Sequence, residues 1–286
     1  MIVVNTVGDL KQQIARLRSN KQRIAFVPTM GNLHAGHRVL MEQAHRYADA
    51  VAASVYVNPL QFGPAEDFAS YPRTPDADRE LLRAAGVDIL FLPDEDQVYP
   101  RGRQAQTIVE VPGLSDILCG AARPGHFRGV TTVVARLFDL VTPDVALFGK
   151  KDYQQWLLIR LMVGDLGLPI EIIGIDTVRA DDGLALSSRN SYLSAAERRI
   201  APRLYATLRA MADGMAKVSR AIPGLETEAC GALEQAGFQP EYVSIRRRGD
   251  LASPGDHDRE LVILAAAKLG GARLIDNIEL DLNRAG

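Results

Sequence analysis

Short apolar runs, many of them β-branched, alternate with amphipathic stretches over the first 176 residues of the chain. The apolar runs predict strands at 23–29, 50–57, 87–93, 144–149 and 169–176. The amphipathic stretches predict helices at about 36–49, 74–86, 131–140 and 152–166. The second of these begins with Thr74 as N-cap and Pro75 at its first position. Alternating strands and helices are typical of a mostly parallel sheet with helices on both faces, where ligands bind at the carboxyl ends of the strands.

The pattern changes after about residue 176. Ser194 and Glu197 form a capping-box sequence, which predicts a long helix that runs to about residue 217. Pro223 and Gly224 interrupt the chain before another predicted helix at about 225–235. Three apolar runs then predict strands, at 241–247, 260–269 and 272–280. We therefore predict an α/β domain over 1–176 and a smaller α+β domain over 177–286.

Composition narrows the class of protein. The 286 residues are 47% hydrophobic, and 33 Lys+Arg against 35 Asp+Glu give a net charge of -2, which disfavours a globally basic nucleic-acid binder. No apolar run approaches the roughly 18 residues that a membrane-spanning helix needs. The N-terminal segment carries Asp9 and no basic region, unlike a signal peptide. Cys119 and Cys230 lie outside any CxxC motif, which predicts thiols in a reducing, cytoplasmic compartment.

The stretch between the first predicted strand and helix carries the most informative chemistry. It places His34 and His37 three residues apart, with Gly36 between them. Main-chain N–H groups at a helix start attract anions, and glycine lets the backbone approach them closely. Imidazole N–H groups can donate to phosphate oxygens as charge develops on them. This pattern favours a nucleotide-triphosphate site; the alternative is a capped helix start with two partly exposed histidines.

Other histidine chemistry and other nucleotide folds have less support. A zinc site at His34 and His37 would lack both an HExxH motif and a cysteine partner. We predict that His45, two turns into the helix, and His257, in a polar loop, are structural or solvent-facing. The chain contains neither GxxxxGKS/T nor GxGxxG, which disfavours a P-loop fold and a typical dinucleotide-binding fold.

A second polar stretch follows the strand at 144–149. Lys150 and Lys151 can neutralise phosphate there, and Asp152 can cap a helix or accept from a ribose hydroxyl. Gln155 projects from the first turn of the predicted helix. In isolation, a charged loop with a routine helix cap explains these residues equally well.

Two further stretches offer groups for phosphate and for a hydroxy acid. Ser187, Ser188 and Arg189 supply two hydroxyls and a guanidinium able to grip phosphate. Asn58 and Gln61, at the end of the second predicted strand, are uncharged groups that both donate and accept, which suits a hydroxy acid. Alone, each stretch is also compatible with a turn or a polar surface.

Together these motifs resemble one family. The stretches PTMGNLHAGH, NPLQF, YPRTPDAD, GHFRGV, FGKKDYQQ and SSRNSYLS occur in the order and spacing of the pantoate–β-alanine ligases. The resemblance covers essentially the whole chain and places it in the wider HxGH nucleotidyltransferase-like group. It implies a Rossmann-like doubly wound parallel sheet with a smaller α+β lid domain.

The resemblance also implies an activity. The family makes pantothenate from (R)-pantoate, β-alanine and ATP with Mg²⁺, through a pantoyl-adenylate, releasing AMP and pyrophosphate. It further implies a cytoplasmic homodimer, while the balanced charge argues against nucleic acid as a partner. The adenylate would be shielded from water by the segment 63–73 and by the C-terminal domain.

Residue roles follow from the same resemblance. The catalytic residues would be His37, His34 and Lys151, and Val178 would contact adenine. Pantoate would contact Gln61, Gln155 and Asn58, with Gln61 also close to β-alanine. The ATP site would be formed by Met30, Gly31, Asn32, Leu33, His34, Ala35, Gly36, His37, Gly149, Lys150, Lys151, Asp152, Val178, Leu186, Ser187, Ser188 and Arg189.

The chain departs from the family pattern at two positions. Leu186 replaces a common methionine, a volume-conserving change expected to matter little. Lys150 replaces a common glutamate and reverses a charge beside the predicted phosphate site, so we expect it to alter ATP affinity or salt dependence. We interpret Asp76 and Asp78 as acids of a first helical turn rather than as Mg²⁺ ligands.

Positive charge from Mg²⁺, Lys151, Arg189 and the two histidines would offset the repulsion between the pantoate carboxylate and ATP. Two other functions stay open at this point. A nucleotidylyltransferase of the HxGH group would need cations for a phosphorylated acceptor, where this chain offers glutamines. A noncatalytic nucleotide sensor or RNA-binding module would bind without consuming ATP.

Overall fold

The computed structural model describes residues 1–64, 66, 68–217 and 222–282. The chain forms two compact units. The first comprises Met1–Lys150 and Gln155–Asp176, and the second comprises Lys151–Gln154 and Thr177–Gly286. Each unit has its own sheet and its own core.

The first unit alternates strands and helices. Its strands are β1 (Ile2–Val4), β2 (Ile24–Thr29), β3 (Ala50–Val55), β4 (Ile89–Phe91), β5 (Val145–Gly149) and β6 (Glu171–Ile175). Its helices are α1 (Val7–Ser19), α2 (Ala35–Ala44), α3 (Pro75–Ala84), α4 (Glu95–Val98), α5 (Cys119–Ala122), α6 (His126–Val141) and α7 (Tyr153–Asp165), whose first two residues pack with the second unit. Short 3₁₀ turns occur at Pro59–Gln61, Leu114–Asp116 and Lys150–Asp152.

All strand pairs described in the first unit are parallel, in the order β1-β4-β3-β2-β5-β6. The chain proceeds from β2 outward to β3, and then adds β5 and β6 on the other side of β2. The strand order therefore reverses between β2 and β5, whose register pairs Ala25 with Val145. In a doubly wound sheet, such a reversal opens a crevice at the carboxyl ends of the two strands, where ligands bind.

Both faces of this sheet are covered by helices. On one face, Met41 of α2 and Leu82 of α3 are fully buried with Ala25 and Val27 of β2. On the other face, Phe26 packs edge-on against Phe138 of α6, with ring centroids 6.4 Å apart. Burial on two faces explains why β2 and β3 are nearly continuous apolar runs rather than alternating ones.

The second unit has an antiparallel sheet. Its strands are β7 (Gln239–Arg247), β8 (Glu260–Leu269) and β9 (Ala272–Asp281), in the order β7-β8-β9. Its helices are α8 (Ala195–Ile200), α9 (Arg203–Lys217) and α10 (Ile222–Gln235), and a 3₁₀ turn spans Ser188–Tyr192. Leu204, Leu208 and Leu233 from the helices pack with Ile263 and Ala265 of β8 in one core.

The fold class predicted from the sequence is confirmed: a parallel, doubly wound α/β sheet accompanies a smaller α+β unit. The predicted helix after Ser194 is instead two helices. The capping box of Ser194 and Glu197 starts α8 as expected, but the chain breaks at Pro202, which cannot donate a main-chain hydrogen bond. Pro223 lies inside the first turn of α10, where its missing N–H costs nothing.

Two elements at the N-terminus were not predicted. β1 is only three residues long and pairs with β4, and α1 follows it at once. The sequence feature that marks the start of α1 is the pair of Thr6 and Asp9. The Asp9 amide donates to Thr6 Oγ1, and the Thr6 hydroxyl donates to the Asp9 carboxylate. Within the described ranges, none of the helices is long and apolar enough to span a membrane.

An ion pair holds together the amino end of the sheet. The Asp144 carboxylate, just before β5, accepts from the Ile24 amide at 2.7 Å and from Arg18 at 2.6 Å. Arg18 also donates to the carbonyls of Gln22 and Thr142. Partial burial alone would raise the pKa of Asp144, but these hydrogen bonds and the Arg18 charge outweigh it, so the pKa lies below its usual value.

Replacing Asp144 with Asn keeps the side-chain shape but removes this charge. We expect the free energy of unfolding at pH 7 to fall by about 1 kcal/mol, allowing for partial exposure. The pKa is lowered in the folded state, so the wild-type advantage holds above the pKa of an unfolded Asp. It is lost as the pH falls through the folded-state value. Urea denaturation at neutral and acidic pH measures the difference; an equal gap at both would contradict this account.

Candidate active site

The HxGH stretch, residues 34–37, follows the carboxyl end of β2, beside the reversal of strand order. Residues 30–33 form the turn between them, called the HxGH turn below. The main chain turns sharply there: Gly31 has φ of 81° and Asn32 has φ of 50°, both in the left-handed region. A Cβ at residue 31 would lie 2.9 Å from an Asp78 oxygen and 3.0 Å from Val55, so only glycine fits. The turn delivers His34 to the first position before α2, as its N-cap.

The two histidines cap α2 reciprocally. Nδ1 of His34 accepts from the Gly36 amide at 3.1 Å, and Nδ1 of His37 accepts from the His34 amide at 3.3 Å. Their ring centroids are 4.2 Å apart. A nitrogen that accepts an N–H carries no proton, so this geometry selects the neutral imidazole with its proton on Nε2. The positive end of the α2 dipole also disfavours an imidazolium here.

This geometry changes the sequence-based view of the site. The histidines were expected to add positive charge, whereas the capping arrangement makes them neutral Nε2–H donors. Within the described part of the chain, no three His, Cys, Asp or Glu side chains are grouped to hold a metal, so the zinc alternative gains no support. His45 has a structural contact, with Nε2 3.1 Å from the Ala85 carbonyl, and His257 is exposed.

Asp78 anchors the HxGH turn and was missed as a functional residue. It is 3% exposed, and its carboxylate accepts from the amides of Asn32 at 3.0 Å and Leu33 at 2.7 Å. The Thr74 hydroxyl donates to the same group at 3.1 Å, instead of capping α3. Asp76, two residues earlier, is exposed. The sequence presents both as acids of one helical turn, so it offers no signal that separates them.

Two of the three predicted pantoate residues, Asn58 and Gln61, form an amide network at the 3₁₀ turn that follows β3. Asn58 donates to the Gln61 side-chain oxygen at 3.1 Å and to the Gly129 carbonyl at 3.1 Å. The Tyr99 hydroxyl donates to the Asn58 oxygen at 2.7 Å, and the Gln61 amide nitrogen lies 3.1 Å from the Met30 sulfur. Asn58 and Gln61 are both buried, so their amides have defined orientations. Met30 thus links this network to the HxGH turn.

Around the end of β5, three of the predicted site residues belong to the first unit. The Lys150 ammonium lies 3.2 Å from the Asp176 carboxylate and 5.7 Å from the centre of the Trp156 ring. Gln155 is half-buried in the first turn of α7. Gly149 ends β5.

The second unit holds the other predicted ATP residues. Lys151 is fixed through its main chain, because Asn277 of β9 donates to the Lys151 carbonyl at 2.9 Å. Its ammonium lies 4.0 Å from the neighbouring Asp152 carboxylate. Val178 and Leu186 face each other across a short antiparallel turn, with the Leu186 amide donating to the Val178 carbonyl at 2.9 Å.

That turn is held by a half-buried arginine. Arg179 donates to the Asp276 carboxylate at 2.6 and 2.8 Å, and its guanidinium stacks on the Tyr205 ring at 3.6 Å. Ser187 then caps the 3₁₀ turn Ser188–Tyr192 by accepting from the Arg189 amide at 3.3 Å. The SSR stretch, residues 187–189, therefore follows a turn whose main chain is fixed by these contacts.

Comparisons with known proteins identify the family. A profile described as pantoate-beta-alanine ligase matches residues 2–279. The chain belongs to the pantoate–β-alanine ligase family. A pantothenate synthetase of Stutzerimonas stutzeri is 55% identical over 282 residues, covering 99% of each chain. One from Shewanella amazonensis is 55% identical over 278 residues, covering 97% of this chain and 99% of the relative.

Solved structures of pantoate–β-alanine ligases share the fold. The pantothenate synthetase of Thermus thermophilus aligns with a TM-score of 0.90 at 46% identity, over 97% of this chain and 99% of that one. The enzyme of Francisella tularensis, complexed with beta-gamma ATP and beta-alanine, aligns with a TM-score of 0.80 at 33% identity, over 97% of both. These matches confirm the resemblance found in the sequence.

Replacing Asp78 with Ala should impair the ligase through the HxGH turn. Two main-chain amides lose their acceptor, so we expect kcat/KM for ATP to fall about 10-fold or more, as found for residues that orient a reacting group. The matched control is Asp76→Ala, which removes an exposed acid from the same helical turn and should change kcat/KM less than about 2-fold. Steady-state pantothenate formation measures both. Equal effects of the two variants would refute the anchoring role.

Proposed function

We propose that this chain is an ATP-dependent ligase that condenses (R)-pantoate with β-alanine to pantothenate. Membership of the pantoate–β-alanine ligase family supports the reaction. The observation that carries the mechanism is the pair of imidazole rings that cap the start of α2 through Nδ1, beside the reversal of strand order. Such a site suits a polyphosphate, because donors and a helix N-terminus meet there.

The first step is adenylation. A carboxylate is a poor acylating agent because oxide is a poor leaving group. The pantoate carboxylate oxygen attacks the α-phosphorus of ATP, the bond to the bridging oxygen breaks, and pyrophosphate leaves with that electron pair. The transition state spreads negative charge onto the phosphate oxygens, so stabilisation comes from positioned donors rather than from proton transfer. His37, with Nδ1 engaged by the main chain, is suited to donate and not to act as a base.

Cationic charge is assigned to lysine and arginine rather than to histidine. Of the two adjacent lysines, we assign phosphate binding to Lys151, because Lys150 lies against Asp176 and Trp156. Two hydroxyls and a guanidinium come from Ser187, Ser188 and Arg189, which follow the turn held by Arg179. Val178 and Leu186 supply apolar side chains for adenine.

The acceptor side is uncharged. Gln61 and Asn58 present amides whose orientation is set by mutual hydrogen bonds, and Gln155 adds a third amide. Amides can pair with the hydroxyls and carboxylate of pantoate, since they both donate and accept. A nucleotidylyltransferase that acts on a phosphorylated acceptor would instead need cations at these positions, which argues for the ligase.

Mg²⁺ is proposed to arrive with ATP. The carboxylate that binds the HxGH turn, that of Asp78, already accepts three hydrogen bonds. Mg²⁺ usually keeps several waters and binds through phosphates with few protein carboxylates, so no dedicated protein cage is required. When bound, the ion would neutralise part of the phosphate charge.

The second step forms the amide. The unprotonated β-alanine amine attacks the acyl carbon of pantoyl-adenylate, and AMP leaves with the electron pair of the broken acyl–oxygen bond. The amine loses its proton to solvent in this scheme, since no side chain is assigned as its base. We further propose that the enzyme is a cytoplasmic homodimer whose ligands are these small molecules.

One assay separates the candidate functions. The ligase releases AMP only when ATP, pantoate and β-alanine are all present, and exchanges pyrophosphate into ATP with pantoate alone. A nucleotidylyltransferase would need a phosphorylated acceptor for exchange, and a nucleotide sensor would bind ATP without releasing AMP. Absence of pantoate-dependent exchange would overturn the proposal.

Replacing His37 with Ala removes the proposed donor. We expect single-turnover adenylate formation to fall by about 10²–10³-fold, as for the loss of one preorganised donor. His257→Ala, in an exposed loop, is the control and should retain wild-type rates. Undiminished adenylation by the His37 variant would contradict its assignment.

The adjacent lysines provide a second test. Lys151→Ala should lower the adenylation rate by about 10-fold or more, because a charge that stabilises the transition state is lost. Lys150→Ala should change the rate by less than about 3-fold, because its partner Asp176 is exposed and such pairs contribute little. The ATP dependence of pyrophosphate exchange compares the two. A larger effect at Lys150 would reverse the assignment.

A further inference from the structure

A hydrogen-bonded cluster joins Arg123, which follows α5, to His126, the first residue of α6 and part of the GHFRGV stretch, and neither residue has a role in the proposed mechanism. Arg123 and His126 both contact the main-chain carbonyl of Gln61, at 3.4 Å and 2.8 Å. Arg123 also contacts Nε2 of His126 at 3.0 Å. The His126 residue is 9% exposed. Two side chains thus meet at one carbonyl, directly after the network that orients the Gln61 amide.

The partners of His126 define its proton. A guanidinium only donates, so Nε2 of His126 must accept from Arg123. A carbonyl only accepts, so Nδ1 must donate to Gln61. His126 is therefore neutral with its proton on Nδ1, the opposite tautomer from His34 and His37.

The main chain of this segment is fixed by close packing as well. A Cβ at Gly129 of α6 would lie 2.2 Å from the Leu60 carbonyl oxygen and 2.6 Å from the Gln61 nitrogen. Only glycine permits this approach. The helix thus lies directly against the turn that carries Gln61, and Asn58 donates to the Gly129 carbonyl at 3.1 Å across the same contact.

Arg123 also holds the segment that follows Gln61. It donates to both oxygens of the Glu66 carboxylate, at 2.7 and 2.6 Å. Burial alone would raise the pKa of Glu66, but the hydrogen bonds and charge of Arg123 outweigh it and lower the pKa. Phe62 packs on Phe68 and Tyr71 in the same segment. Ala65 and Asp67, which fall in the predicted cover over 63–73, lie outside the described residues.

We propose that Arg123 and His126 are positioning residues of the pantoate site, which set the Gln61 carboxamide by gripping its main-chain carbonyl. This inference rests on the proposed function, in which Gln61 binds pantoate. Arg123 joins the carbonyl to Glu66, so the turn and the following segment are held by one guanidinium. His126, the first residue of α6, fixes the same main-chain carbonyl of Gln61. Neither residue is assigned a contact with a substrate.

The test compares Arg123→Gln with Arg18→Gln. Arg18 is a matched control, since it too joins a carboxylate to the main chain, here through two carbonyls at the amino end of the sheet. We expect Arg123→Gln to raise the KM for pantoate about 10-fold, with kcat and the KM for ATP within about 3-fold of wild type. Arg18→Gln should lower thermal stability and leave the KM for pantoate unchanged.

His126 supplies a second pair of variants. Asn can keep the donor toward the Gln61 carbonyl in place of Nδ1–H, whereas Phe keeps only the ring. We expect His126→Asn to retain most of the pantoate affinity and His126→Phe to lose about 10-fold. Nitrogen-15 NMR of the wild type should show the Nδ1–H tautomer for His126, because the Gln61 carbonyl accepts that proton.

The outcomes are distinct. Wild-type KM values for pantoate in both Arg123→Gln and His126→Phe, beside a raised KM in Gln61→Ala, would overturn the positioning role alone. An increase confined to the KM for β-alanine would also overturn it, since Arg123 would then act on the other substrate. An unchanged KM for pantoate in Gln61→Ala would overturn both the Gln61 assignment and the role built on it. Failure of the wild type to form pantothenate would instead overturn the proposed function.

Discussion

The candidate site depends on two main-chain N–H groups that donate hydrogen bonds to the Nδ1 atoms of His34 and His37. The start of α2 leaves amides that need acceptors, and Nδ1 of His34 and Nδ1 of His37 satisfy two of them. Capping therefore fixes ring orientation and proton position together. Asp78 completes the arrangement by holding the preceding turn through the amides of Asn32 and Leu33. The capping of the helix thereby leaves two ring N–H groups, which donate to the polyphosphate in the proposed mechanism.

Charge and polarity are divided between different groups. In the proposed mechanism the histidines act as dipoles, the cations for phosphate are assigned to Lys151 and Arg189, and the amides of Asn58 and Gln61 are assigned to the acceptor. Buried amides must be oriented by partners, because an amide that loses them in a buried site is costly. Tyr99 and the Gly129 carbonyl hold the Asn58 amide, and His126 contacts the main-chain carbonyl of Gln61. A ligase that acts on a hydroxy acid needs uncharged side chains of this kind to bind the acid next to the polyphosphate.

Sequence reasoning located the described strands other than β1, the family and the HxGH turn, because these depend on local apolar runs and on motifs read in order. It could not separate Asp78 from Asp76, since only the tertiary fold buries one and exposes the other. The supporting role of Arg123 also depends on a contact 62 residues away in the chain. The missed β1 is too short to show a pattern, and Pro202 divides a helix whose amphipathic pattern continues across it.

The central claim is that capping holds both histidines of the HxGH turn neutral, with the proton on Nε2. Nitrogen-15 NMR of the five histidines in the ligand-free protein tests it directly. At neutral pH the account predicts Nε2–H tautomers for His34 and His37. An imidazolium, or an Nδ1–H tautomer, at either position would contradict it.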